Sequence, residues 1–174
     1  MKINDALNKV LNCDNQNIEF VYTDGGREKA GFKGTTGDCV IRAIAVATEK
    51  DYKEVYNDIY EATKKYAETH NNKLAKHLRT HPDKMTPRRG VNKEIYRPYL
   101  ESLGWKFISD KQRLNCNKFK SGTYICGVRK HMTVVKNGKL YDSWNCSMAR
   151  DGYDKYGNYF PSKVRTAFHY FVKI

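Results

Sequence analysis

The sequence predicts an α+β chain, helices first and an antiparallel sheet after, on three observations. Residues 39–103 carry apolar side chains at helical spacing. Beyond Gly104 the runs WKFIS, GTYICGV, HMTVV and FHYFVKI are rich in β-branched and aromatic residues, the composition of strands. Between TVVK and KLYD lies Asn137-Gly138, the strongest short hairpin signal a sequence offers. Helices followed by locally joined strands make the α+β order.

Taken in chain order, Asp5–Leu11 reads as a short helix with Ala6, Leu7, Val10 and Leu11 on one face. Ile18–Tyr22 reads as a strand closed by the turn Asp24-Gly25-Gly26, and Gly31–Asp38 as a glycine-punctuated loop. Asp38 then stands where an N-cap belongs, opening a helix from about Cys39 to Thr48. That helix is apolar nearly all round, so it should be buried centrally. Asp51 with Glu54 forms a capping-box variant that opens a second helix to about Thr69. The stretch from 71 to 90 is basic and broken by prolines, which predicts a surface-laid, partly mobile segment. A third helix, from Asn92 to about Leu103, should stop at Gly104.

The chain of 174 residues is expected to form one domain, 1–174, large enough for a core without metals or disulfides. No run approaches the roughly 20 apolar residues of a membrane span, and the first residues lack a signal peptide's apolar core, so no membrane association is expected. Five cysteines, at 13, 39, 116, 126 and 146, form an odd set without a CxxC pair. That argues against a disulfide framework or zinc ribbon and for a reducing interior. His77 and His81 have i, i+4 spacing, but no acidic or thiol ligand completes a metal site; no metal and no cofactor are expected.

Net charge is +13, unevenly spread. Residues 43–61 hold two basic against five acidic residues, 62–93 nine against two, and 104–140 nine against one. Such a surface suits an acidic protein partner, nucleic acid or an anionic substrate, or simply keeps the protein soluble.

The candidate chemistry begins at Cys39, a thiol at the start of an apolar helix. A helix N-terminus and a neighbouring imidazolium both favour a thiolate. The hairpin supplies the imidazole. With a two-residue turn, Val135 pairs with Leu140 and Val134 with Tyr141, which puts Thr133 opposite Asp142 and His131 diagonal to it on the same face. His131 would act as base toward Cys39 and then as acid, while Asp142 orients the ring. The Cys39 N–H would give one donor to an oxyanion, and Trp144 would pack over the His–Asp pair.

These residues resemble papain-like cysteine peptidases: Cys on the first turn of the central helix, then His on a strand and Asn or Asp on the next. Asp142-Ser143-Trp144 is similar to the N-S-W of papain-type enzymes, and Asp38-Cys39 to the start of bacteriocin-processing peptidase domains. The wider pattern G-D-C-V-x-R-A … H-x-T … D-S-W, over roughly residues 34–147, resembles small bacteriophage and prophage proteins. The resemblance implies a papain-like fold and a candidate Cys39–His131–Asp142 triad, and brings no known substrate; such a triad is expected to cleave amide or isopeptide bonds of a protein or peptide, in the host cytoplasm or carried in the virion. The family's oxyanion Gln is replaced here by Lys33, so Lys33, Thr35, Thr36 or backbone alone would supply that donor. A scaffold without catalysis, serving as a basic binding protein or a virion component, is the alternative. Transfer of the acyl group to an amine is a third outcome, since it shares the thioester.

Overall fold

Asn137 and Gly138 both take positive φ, 50° and 76°, the type I′ geometry whose twist matches that of the strands it joins. From this turn the rest of the sheet can be laid out. The structure, a computed structural model, describes residues 18–174 except 35, 150, 151, 154 and 161. The expected helix over Asp5–Leu11 lies outside the described residues, as do Cys13 and Thr35.

Ten strands are present among the described residues: β1 (Glu19–Tyr22), β2 (Trp105–Ile108), β3 (Gln112–Arg113), β4 (Thr123–Val128), β5 (His131–Lys136), β6 (Lys139–Asp142), β7 (Gly152–Tyr153), β8 (Tyr159–Phe160), β9 (Thr166–Ala167) and β10 (His169–Lys173). Six form one sheet in the order β1-β6-β5-β4-β10-β2; β3 with β9 and β7 with β8 make two small ribbons. The fold is α+β, as expected, with one correction. The expected sheet is antiparallel and drawn from the C-terminal half, whereas the observed sheet is mixed. β1 comes from the N-terminal half and pairs parallel to β6, Tyr22 opposite Asp142. A parallel partner leaves no local turn signal in the sequence, so only the three-dimensional structure reveals it.

The helices are α1 (Cys39–Thr48), α2 (Tyr52–Thr69), α3 (Lys73–Thr80) and α4 (Lys93–Ser102). Asp51 caps α2 by accepting from the Lys53 and Glu54 N–H groups; Asn92 caps α4 through Glu94 N–H at 3.0 Å. Helix α1 fulfils its apolar pattern: Ile41 and Ile44 have no exposure and pack with Val134, Ile125 and Phe171. Each such side chain contributes about 1.5–3 kcal/mol by leaving water. The opposite face of the sheet is covered too, where Val135, Leu140, Cys126 and Tyr170 pack with Leu114, Phe119 and Cys146.

The basic stretch from 71 to 90 is more ordered than its composition predicts. It contains α3, capped by Asn72, which buries Ala75 and Leu78 against Tyr66 and Ile95. Two 3₁₀ turns, Pro82–Lys84 and Pro87–Arg89, follow. Gly37 N–H donates to the Arg88 carbonyl at 2.8 Å, tying this stretch to the loop that leads into α1. A short amphipathic helix with two buried residues is easily hidden by lysines in a sequence reading.

Candidate active site

Helix α1 and the β5–β6 ribbon deliver the three predicted side chains to one place. Cys39, half-buried, is the first residue of α1; His131 opens β5; Asp142 ends β6. The observed register pairs Val135 with Leu140 and Val134 with Tyr141, as the turn requires. His131 Nε2 lies 2.6 Å from Asp142 Oδ2. The thiols of Cys39 and Cys146 lie near enough to the same imidazole to favour a proton on it. With Nε2 committed to the carboxylate, Nδ1 is the ring nitrogen left to serve a thiol.

The electrostatics of the pair favour charge separation. Burial opposes a proton on His131, but the hydrogen bond to Asp142, the nearby Cys146 and Cys39 thiols and the Asp142 charge outweigh it, and its pKa is pushed up to about 11. Burial likewise opposes ionisation of Asp142, yet His131 and Arg42 hold its carboxyl below the usual range. The resting pair is therefore imidazolium and carboxylate.

Asp142 is saturated. Its Oδ1 accepts from Arg42 Nη1 at 2.8 Å and from Ser143 N–H at 2.7 Å; its Oδ2 accepts from His131 and from the Cys146 thiol at 3.5 Å. Arg42, 6 % exposed, also donates through Nε to Asp38 Oδ1 at 3.1 Å and through Nη1 to Ser143 Oγ at 2.7 Å. This overturns the role expected of Asp38. Its side chain makes no cap bond to α1. The carboxylate is fully buried and holds Arg42 on one oxygen and the Tyr52 hydroxyl, at 2.7 Å, on the other, with Arg27 Nη1 at 3.7 Å. A buried cation between two buried carboxylates outcompetes the weaker cap. The N–H groups at the start of α1 are thereby left uncapped by any side chain.

The turn after β1 locks the same network from outside. Gly25, at φ 66°, lies so close to Arg42 that a Cβ would meet its carbonyl oxygen at 2.9 Å, so no larger residue fits there. Thr23 N–H donates to the Asp142 carbonyl at 2.8 Å.

The supporting residues are placed unequally. Trp144 covers His131, ring centroids 5.2 Å apart, as expected, although 45 % of it remains exposed; Arg165 stacks on it at 5.5 Å. Thr36 has a buried Oγ1 with no hydrogen-bond partner among the described residues. Lys33 is exposed, and its main-chain carbonyl accepts from Arg88. No described contact takes its side chain to Cys39.

Three further residues carry no strong sequence signal. Arg42, one turn into the helix, reads as a local salt-bridge former whose partner the sequence leaves open; the structure gives it Asp38 nearby and a second carboxylate, Asp142, one hundred residues away. Cys146 reads as inert, yet is fully buried beside His131 and Asp142. Tyr96, 6 % exposed, has its hydroxyl 3.4 Å from His169 Nε2, and burial together with the charge of nearby Cys39 pushes its pKa up to about 12.

The donor atoms of His131, Asp142 and Cys146 lie within 4.8 Å of one another, a spacing that could grip a cation. The details fit proton transfer better. The 2.6 Å separation of Nε2 and Oδ2 is that of a direct hydrogen bond, and the Arg42 cation on Oδ1 repels a second positive charge. No described helix is long and apolar enough to cross a membrane. Compared with family models, with curated proteins and with solved structures, the chain finds no match in any of the three.

Proposed function

We propose that the protein is a papain-like thiol hydrolase, phage-encoded, that opens an amide or isopeptide bond through a thioester on Cys39. One observation carries the reading: His131 is hydrogen-bonded to Asp142 at 2.6 Å and lies near enough to the Cys39 thiol for the sulfur to favour a proton on its ring. The Cys39 thiolate attacks the acyl carbon, and the imidazolium of His131 passes its proton to the departing amine. The neutral ring then takes a proton from water, whose oxygen attacks the thioester; the C–S bond breaks, the acid leaves, and the Cys39 thiolate re-forms beside the imidazolium. Asp142 keeps the ring's Nε2 side engaged and offsets its charge, while Arg42 keeps Asp142 ionised.

The developing oxyanion needs donors. The Cys39 N–H at the uncapped start of α1 supplies one. Two hydroxyls are candidates for the other: Thr36, with its unpartnered buried Oγ1, and Tyr96, beside Cys39. Lys33, exposed where the family's Gln would stand, is not needed for this. Its exposure is also what favours the alternative reading, a scaffold without catalysis.

Iodoacetamide labelling at neutral pH tests the reading. Cys39 should be alkylated well ahead of the buried Cys116, Cys126 and Cys146, and His131→Ala should remove that advantage. Equal, slow labelling of Cys39 in wild type and variant would sink it.

A further inference from the structure

Beside the triad lies a second feature the chemistry above does not use. A cleft of about 670 Å³, within the size range of ligand sites, is lined by Lys111, Arg113, Arg129, Lys163, Arg165 and the exposed ring of Phe168. Among the described residues no acidic side chain lines it. Lys111, Arg113, Arg129 and Lys163 make no ion pair among the described residues, whereas lysines elsewhere, such as Lys50, Lys64, Lys136 and Lys139, are neutralised by glutamates. Five like charges gathered around one concavity repel each other. They therefore gain from an anionic guest in a way that scattered surface charges do not.

The cleft is linked to the triad by a chain of side-chain contacts. Arg165 stacks on Trp144, and Trp144 covers His131, so one wall of the cleft is two ring contacts from the imidazole. Arg129 stands two residues before His131, in the turn between β4 and β5.

We propose that this cleft binds an acidic polypeptide segment, Asp- or Glu-rich, flanking the bond that Cys39 attacks. The inference rests on the thiol-hydrolase reading for the direction of the segment, but not for binding itself. A polypeptide is favoured over nucleic acid because the site to which those contacts link the cleft attacks acyl carbon. In addition, the cleft offers one exposed ring, Phe168, rather than the succession of aromatics on which bases stack.

Two measurements test it. Tetraglutamyl and tetraglutaminyl chloromethyl ketones are compared for the rate of Cys39 alkylation, read by mass spectrometry at low salt. The acidic probe should react at least tenfold faster. Lys111→Glu with Lys163→Glu should abolish the preference, and the neutralising pair Lys111→Gln with Lys163→Gln should reduce it. Lys73→Glu with Lys76→Glu, an equal charge change on exposed α3 positions, should leave it intact. In parallel, fluorescein-labelled hexaglutamate and hexathymidylate are titrated into Cys39→Ala and followed by anisotropy. Hexaglutamate should bind, and lose at least tenfold in affinity in the cleft variants. If neither ketone alkylates Cys39 while hexaglutamate still binds through the cleft, the docking site stands and the hydrolase reading falls. Equal rates for the two ketones with hexaglutamate binding unchanged by the cleft variants would overturn the proposal. Tighter binding of hexathymidylate, lost in those variants, would overturn it too and assign the cleft to nucleic acid.

Discussion

The two sides of His131 are built on opposite principles. On the Asp142 side the carboxylates are fully engaged: the two oxygens of Asp142 take four donors, Arg42 spans two buried acids, and Tyr52 closes the far end. On the Cys39 side atoms are left open: the thiol is half-buried, the Thr36 hydroxyl has no partner among the described residues, and Lys33 points its charge at solvent. A fully satisfied buried network holds one geometry, since any displacement strands a charge. An unsatisfied one has capacity left for a ligand. The contrast separates the half that positions from the half that would receive substrate.

The largest effect should come from crossing the boundary between the halves. Asp142→Asn keeps the shape but removes the charge that orients the ring, and turnover of an acyl substrate should fall roughly 10⁴-fold, with Cys39 alkylation slowed in parallel. An unchanged rate would make Asp142 purely structural. On the positioning side, Arg42→Ala leaves Asp38 and Asp142 buried without their shared cation and should cost about 3–5 kcal/mol of stability by chemical denaturation. A loss below about 1 kcal/mol would mean water replaces the guanidinium.

On the receiving side, Thr36→Val and Tyr96→Phe each delete one hydroxyl. Whichever supplies the oxyanion donor should lose roughly 10²–10³ in kcat with KM little changed, and the other should stay near wild type. Both remaining near wild type would place the second donor on the backbone.

Smaller, but tied to the same pair, is the effect of pH. The folded His131 pKa of about 11 lies above its ordinary 6.5, so its stabilisation is whole below 6.5 and is lost as pH rises through 11. Asp142 is held below its ordinary 3.8, so its contribution is present above that value and is lost as pH falls through its folded pKa. Melting temperature should therefore stay high between about pH 4 and 6.5 and decline toward alkaline pH; His131→Gln should flatten the alkaline arm. The smallest effect expected is that of chelation: EDTA should leave the melting temperature within about a degree, whereas a fall of 5 °C or more would assign His131, Asp142 and Cys146 to a metal, since ligand loss destabilises by mass action.

The legible parts of the sequence were those whose signal is local. Asn137-Gly138 sets the ribbon register, and the register alone puts His131 beside Asp142. The apolar run after Cys39 announces a buried helix. What stayed hidden depends on distant pairing. Arg42 reads as a local salt-bridge former with no sign of Asp142, and Asp38 looks like a cap because its position in sequence suits one, while a buried guanidinium claims it in the fold. Cys146 is an ordinary small residue until the loop after β6 folds it under the carboxylate. The parallel docking of β1 on β6 leaves no turn to read, and α3 is masked by its charge. The helix-start thiol and the hairpin motif pointed to Cys39, His131 and Asp142; the cationic cleft arises from four separated segments and has no motif.

The close approach of Gly25 to Arg42, and of Thr23 to Asp142, has a kinetic corollary. Cys39 leaves the ribosome early, whereas its imidazole and carboxylate partners are translated some ninety to a hundred residues later. Until that ribbon emerges and slots against the waiting edge of residues 19–25, the sulfur has neither base nor orienting acid. If Cys39 is the nucleophile proposed above, a nascent chain carries it in harmless form and arms it only when the last-made half closes on the first.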